Sequence, residues 1–311
     1  MKSLIRKILL TLLFLLLTFY ILTHPKISLQ YALTGLQLWF YNMIPTLLPF
    51  MILAGIMIKL DLTSAFVQVV KPILYPLFRL DDDCLYVIVI GFLCGFPMGA
   101  RVIAQMYELG KLSKEKASLL LSFCNNIGPV YITGFVMTTL QIENKLPCLI
   151  GMYGVPLCYG LLLRHTLYRS LIPYTSKTFS KKALKGVSSE KLLDTIDDSI
   201  TSGLVNIAKL GGYMVLFNLL NIIPYQFLQE TPVYLGKINC ILEITSGIQK
   251  PGTSAPFYVL VLLPFGGLSC IAQTYSMIQN TDLSIKSYVL HKVILTGITF
   301  CYYSLLQTVV I

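Results

Sequence analysis

Charge is what this 311-residue chain has least of: 12% of its residues are Asp, Glu, Lys or Arg, against 55% hydrophobic. So little charge cannot solvate a globular surface of this size, which excludes a large soluble domain and leaves an integral membrane protein. Acids are scarcer than bases, 14 against 24, for a net charge of +10. Most of that excess lies between hydrophobic runs, so it reads as a membrane-orientation signal and not as a nucleic-acid footprint; no nucleic-acid partner is expected. Metal and redox motifs are missing too. No two cysteines have CxxC spacing, no HExxH occurs, and His24, His165 and His291 are far apart. Without a metal triad or a nucleophile–base pair, neither an enzyme nor a cofactor is expected. The eight cysteines lie in or beside apolar stretches, as free thiols in packed helices do.

What is present centres on Gly91 to Pro129. The uncharged run 84–100 is barely long enough to span a bilayer, and Gly91, Gly95, Pro97 and Gly99 break it. Its first leg gives about 17 Å of helix against a hydrocarbon core of about 30 Å. A helix stopping at that depth leaves backbone groups unpaired, tolerated only inside protein or beside a wet cavity. The chain turns through a charged segment, re-enters, and breaks again at Asn125-Asn126-Ile127-Gly128-Pro129. Two breaks at membrane depth, with Arg101 and two asparagines near them, are the pattern of a transporter binding site.

A nonapeptide recurs. Gly99-Ala-Arg-Val-Ile-Ala-Gln-Met-Tyr107 matches Gly267-Leu-Ser-Cys-Ile-Ala-Gln-Thr-Tyr275 at Gly, Ile, Ala, Gln and Tyr, at an offset of 168. This reads as an internal duplication. The chain divides into an N-terminal span (1–25) and a first repeat (26–145, hairpin 84–109). A connecting span and basic linker (146–192) and a second repeat (193–311, hairpin 251–281) follow. Residues 27–48 read as an interfacial helix, 49–58 as the core of the second span, and 293–311 as the last span. Lysines and arginines at 164–191 and 111–116 mark the cytoplasmic side, with both termini expected there. The odd crossing between the repeats inverts the second copy. The expected fold is all-α, with inverted-topology repeats, two re-entrant hairpins and broken transmembrane helices.

Several residues have two readings each. Gly91, Gly95 and Gly99 give close helix packing, or they let the tip Gly95-Phe-Pro97-Met-Gly99 bring backbone to a solute; both can hold. Arg101 pairs with Asp81–Asp83, or it clamps an anion with its planar guanidinium. Asn125, Asn126 and Gly128 either satisfy backbone freed by Pro129 or contact the solute. Gly266, Gly267 and Ser269 are the second-hairpin counterparts. Gln105 and Gln273, at matching positions, suit hairpin-packing hydrogen bonds. Glu243, followed by Thr245 and Gly247, is a loop acid or a proton- or sodium-coupling group. Asp194, Asp197 and Asp198 suit a helix start and are given no chemistry.

The stretch 91–134, with Leu242-Glu-Ile-Thr-Ser-Gly-Ile248, resembles the sporulation integral membrane protein YlbJ family of the nucleoside-recognition Gate superfamily. That superfamily includes domains similar to the core of concentrative nucleoside transporters and to the membrane part of ferrous-iron transporter B. The resemblance implies a role in spore formation, moving dipicolinate across a forespore-facing membrane, the outer forespore membrane being the expected location. It implies solute contacts at 95–101, 125–128, 243–245 and 266–269, and an alternating-access carrier. Lipid, a small solute, a coupling ion and a second copy of the chain are the expected partners. A nucleoside or ion transporter, or a non-transporting scaffold for a sporulation complex, are the alternatives.

Overall fold

The computed structural model describes residues 2–171, 189–228, 230–249 and 254–306, and all regular structure among them is helical. Four helical runs are long and apolar enough to cross a bilayer: Pro25–Lys59, Lys145–His165, Lys191–Leu228 and Pro256–Ile278. Large apolar side chains lie on the outside. Leu22, Phe227 and Leu305 are 74, 81 and 85% exposed, an arrangement that suits lipid and not water. Most of the basic linker, residues 172–188, lies outside the described residues, so its expected cytoplasmic placement does too.

The first long run corrects the expected interfacial helix. Pro25–Lys59 is helical throughout, with a π-helical turn at Trp39–Met43. That wider turn immediately precedes Pro45, in the first turn of Ile44–Lys59, and accommodates the bond its missing N–H cannot make; Pro49 lies inside the same helix. The run packs antiparallel on Lys191–Leu228. Tyr31 meets Tyr225 edge-on at 6.1 Å between ring centroids. Trp39 Nε1 donates to the Ile207 carbonyl at 2.7 Å, and Lys59 pairs with Asp198 at 3.2 Å. Small residues allow the approach: Gly35 faces the Met214 carbonyl, and Gly211 lies under the Trp39 indole.

Next comes a hairpin, Asp82–Cys94 and Met98–Glu108, which packs closely along its length. It enters and leaves on one face, where the ion pairs gather. Lys116 holds Asp81 at 2.6 Å, Lys71 holds Asp82 at 2.7 Å, and Lys111 holds Asp61. Two short helices, Thr63–Val67 and Lys71–Phe78, lie ahead of the hairpin. Arg164 is buried behind them, donating to the carbonyls of Phe78 (2.8 Å), Tyr168 (2.9 Å), Leu171 (2.8 Å) and Arg79 (3.2 Å). Lys114–Phe123 then leads inward, the helix stops over 124–128, and it resumes from Pro129 to Thr139.

The second half departs from the expected plan. The described part of the expected hairpin 251–281 does not fold back. Phe257 packs on Phe300 at 5.7 Å between centroids, whereas Thr274 Oγ1 lies 3.3 Å from the Tyr288 hydroxyl. Advancing from 257 to 274 thus means retreating from 300 to 288, about 18 Å along a helix. Pro256–Leu262 and Gly267–Ile278 are two parts of one crossing, interrupted at 263–266, running antiparallel to Ile285–Leu305. What folds back is the preceding piece: Pro232–Leu242 reverses at Glu243 into Ile244–Gly247, so tightly that a Cβ on Gly247 would come within 2.5 Å of Cys240 backbone.

The last helix starts earlier than the expected 293. It covers Ile285–Leu305 and takes in Lys286, His291 and Lys292. Its start lies beside Lys114, which bonds Asp282 at 2.7 Å. Near its end the Tyr303 hydroxyl donates to the Cys148 carbonyl at 2.9 Å, at the opposite end of Lys145–His165 from Arg164. The described chain therefore ends on the face away from the ion pairs, against the expected basic-face carboxyl end; residues 307–311 lie outside the described residues.

Candidate functional site

Two cavities meet the hairpin. The central one, about 60 Å³, is lined by Gly95 and Phe96 of the first tip, Gly128 and Tyr131 of the first break, Thr245 beside Glu243, and Gln273. Its wall is mostly apolar, completed by the middles of the two long helices through residues such as Leu47 and Met214. The second, about 380 Å³, opens on the ion-paired face between Lys59, Arg101, Glu108, Ser202, Asn206 and Lys209. Arg101, Lys209 and Lys59, the last paired with Asp198, stand against Glu108 and leave the vestibule basic by one charge. Its size is that of an ordinary ligand cleft.

The tip is held by backbone contact. A Cβ on Gly91 would stand 2.1 Å from the Cys124 carbonyl oxygen, and one on Gly99 2.6 Å from it. The glycine series is thus how the hairpin lies flat on the broken helix. Gly95 adds a left-handed turn, φ 83°, and stacks against Gly128. Pro97 follows a cis peptide bond and is buried in the tip without lining the cavity.

The asparagines occupy the break and are fully buried. Asn125 Oδ1 accepts from the Ala100 N–H at 3.2 Å, and its Nδ2 donates to Thr274 Oγ1 and the Tyr288 hydroxyl, both at 3.0 Å. Asn126 Nδ2 donates to the Phe123 carbonyl at 2.5 Å. Asn125 therefore bonds hairpin, break and both later helices together, and neither amide lines either cavity.

Arg101 is separated from them. Its guanidinium donates to Ser202 Oγ at 2.8 Å and lines the vestibule. It does not pair with Asp81–Asp83, which are taken by Lys116, Lys71 and the Thr63 hydroxyl. The expected single cavity uniting Arg101, Asn125-Asn126 and the second tip does not form: Arg101 lines the vestibule, Cys270 and Gln273 after the second break line the central cavity, and the asparagines line neither.

Glu243 is buried at the second reversal, 1% exposed, not at an outer loop surface. Its Oε2 accepts from the Ser246 N–H at 2.7 Å, capping the short helix that presents Thr245 to the cavity. Around it the side chains of Asn239 and Ser246 and the Tyr131 hydroxyl are buried without a hydrogen-bond partner. Gly266 and Gly267, with φ 75° and 81°, form the second break; a Cβ on Gly266 would meet the Phe96 ring. Ser269 is buried and accepts from Gln273 Nε2 at 3.0 Å, so it holds a lining residue without lining the cavity. Gln105 faces the vestibule, not a hairpin partner. No cluster of three metal-ligating side chains occurs among the described residues.

Two contributors carry no motif signal of their own: Tyr131 is one aromatic among many in the apolar stretches, and Lys292 falls just outside the last span expected from hydropathy. Its charge, with those of Lys286 and His291, made the beginning of that helix look like a loop.

The fold and cavities define an all-helical membrane protein with several candidate spans and interrupted helices around a central cavity. Within it, residues 40–142, from the π turn through the first break, match the family model described as Gate, nucleoside recognition. The chain is also 24% identical over 314 residues to the sporulation integral membrane protein YlbJ of Bacillus subtilis (strain 168), across 88% of this chain and 76% of that protein. Both agree with the resemblance carried by the hairpin and break motifs. No solved structure matches the chain.

Proposed function

We propose that this protein is a sporulation-associated carrier that moves a small polar, anionic solute by alternating access. One observation carries the reading: the first tip (Gly95, Phe96), the first break (Gly128) and the second reversal (Thr245) all line one central cavity, with Cys270 and Gln273 following the second break. Discontinuous helices converging at mid-depth are how carriers expose backbone dipoles to a solute. In this reading the halves are inverted. Pro25–Lys59 answers Lys191–Leu228, the first hairpin answers the Glu243 reversal, the crossing broken at 124–128 answers the one broken at 263–266, and Lys145–His165 answers Ile285–Leu305. The basic vestibule beside Arg101 draws anions toward the tip. Glu243 is the candidate proton- or sodium-coupling group, and no catalytic step is involved.

Dipicolinate is the solute favoured by similarity to a sporulation membrane protein, since its two carboxylates suit a vestibule carrying Lys59, Arg101 and Lys209. A nucleoside is the second reading, favoured by the description of the family matched over residues 40–142. Proteoliposomes loaded with buffer and offered labelled dipicolinate or labelled uridine, under proton or sodium gradients, separate the two. Gradient-dependent dipicolinate uptake, blocked by unlabelled dipicolinate, is expected. Uptake of uridine alone selects the second reading, and uptake of neither leaves a scaffold role in a sporulation complex.

A further inference from the structure

Lys292 is fully buried at mid-helix in Ile285–Leu305, and no ion pair among the described residues includes it. A bare ammonium there would be costly, and burial without a carboxylate demands another set of partners. The structure supplies them. Lys292 Nζ donates to the Asn125 backbone carbonyl and, at 3.0 Å, to Asn126 Oδ1. Both oxygens belong to the broken crossing, where Lys114–Phe123 ends and carbonyls lose their helical partners. The remaining side of the ammonium faces the Phe96 ring, 4.8 Å from its centroid, with the Tyr288 ring at 5.6 Å. Phe96 is the hairpin-tip residue whose ring also lines the central cavity. A carbonyl oxygen, an amide oxygen and an aromatic face are what a desolvated monovalent cation takes.

We infer that the Lys292 ammonium is a resident cation, built into the chain, which fills a monovalent-cation site at the junction of hairpin tip and broken helix. It does there what a dissolved sodium or potassium ion would do: it neutralises the carbonyl end of the interrupted helix and holds the tip aromatic against it. The junction then needs no bound metal ion, and coupling, if it uses one, resides elsewhere. The inference goes beyond the carrier reading, since it concerns a site that exists whether or not dipicolinate is transported.

The test reads stability and needs no solute. The thermal midpoint of the purified full chain in detergent is measured in sodium, potassium or choline chloride at one ionic strength. The wild-type midpoint is expected to be the same in all three. Lys292→Ala is expected to lower it by about 5 °C or more, and ethylammonium, which restores the missing amine in the vacated space, or sodium, is expected to recover at least half of the loss, while choline, too large to enter, recovers none. If the alanine variant does not survive extraction, purification is repeated with ethylammonium throughout and yield is the readout. An alanine variant as stable as wild type overturns the inference, as does one that no small cation restores in midpoint or yield. Asn126→Ala, which removes one oxygen from the shell, is expected to cost less in the Lys292→Ala background than alone; equal costs in both backgrounds overturn the shared site.

Discussion

A methyl group at Gly91 is the sharpest perturbation the hairpin offers. The added Cβ of Gly91→Ala would stand 2.1 Å from the Cys124 carbonyl oxygen and 3.0 Å from its carbon. Ordinary contact begins well beyond 3 Å, so about 1 Å of separation must be found. The obstacle is backbone, fixed by the Asn125 and Lys292 bonds on the next residue, and cannot rotate aside. Overpacking of this kind costs about 1–3 kcal/mol, and the helix-propensity gain of alanine over glycine returns at most about 1 kcal/mol. A net loss of about 2 kcal/mol corresponds to a midpoint lowered by roughly 3 °C in a chain of 311 residues. Gly212→Ala is the control, because a Cβ there meets nothing within 4 Å in a comparable helix. It should be neutral or raise the midpoint slightly. Differential scanning fluorimetry of both variants beside wild type, in one detergent, gives the comparison. Equal midpoints for Gly91→Ala and Gly212→Ala would refute the claim that backbone contact seats the tip.

Three further outcomes are expected. Arg101→Lys replaces a planar donor array by a point charge in the vestibule and should weaken apparent dipicolinate affinity in proteoliposomes roughly tenfold to a hundredfold, the scale of one charge-assisted bond of about 1.5–3 kcal/mol; unchanged uptake at wild-type abundance returns Arg101 to a packing role. With the exposed Cys158 and Cys301 replaced by serine, Leu109→Cys and Leu305→Cys should react with an impermeant maleimide from opposite sides of the membrane; labelling from the same side refutes the described end of the last helix. The hydrogen bond from Lys114, with a second from Tyr107, holds the Asp282 carboxyl below the usual carboxylate range. The sign follows: stability from this contact is present above the unfolded value of about 3.9 and is lost as pH falls through the lower folded value. Asp282→Asn should therefore flatten the acid limb of a midpoint-versus-pH curve in low salt, and an unchanged acid limb would show that the contact contributes nothing.

The first half of the molecule was legible because its signals are local. Glycines and proline within an apolar run marked the first tip, and Asn125–Pro129 marked a break that the helix does make over 124–128. The second half was not, and the repeated nonapeptide is the reason. Gly99–Tyr107 and Gly267–Tyr275 each follow a helix interruption and lie beside one another, but only the first is the return leg of a hairpin. The true reversal is at Glu243, where sequence offers only an acid in a Ser/Thr/Gly setting. Lys292 escaped because hydropathy moved the span past it, a bias that acts against any buried lysine satisfied by carbonyls. The split between the Arg101 vestibule and the central cavity depends on where the second leg meets a partner distant in sequence, Ser202, and no spacing encodes that.

The ion pairs have a mechanical consequence. All five among the described residues, Lys59–Asp198, Lys71–Asp82, Lys111–Asp61, Lys114–Asp282 and Lys116–Asp81, lie on the same face. The opposite face is fastened by tyrosine hydroxyls on carbonyls: Tyr258 on Lys237, Tyr302 on Pro147 and Tyr303 on Cys148. The two faces are thus held by different forces. Dissolved salt, which screens exposed charge over about 8 Å at physiological strength, loosens the exposed pairs of the first face, such as Lys114–Asp282, and leaves the tyrosine contacts of the other untouched.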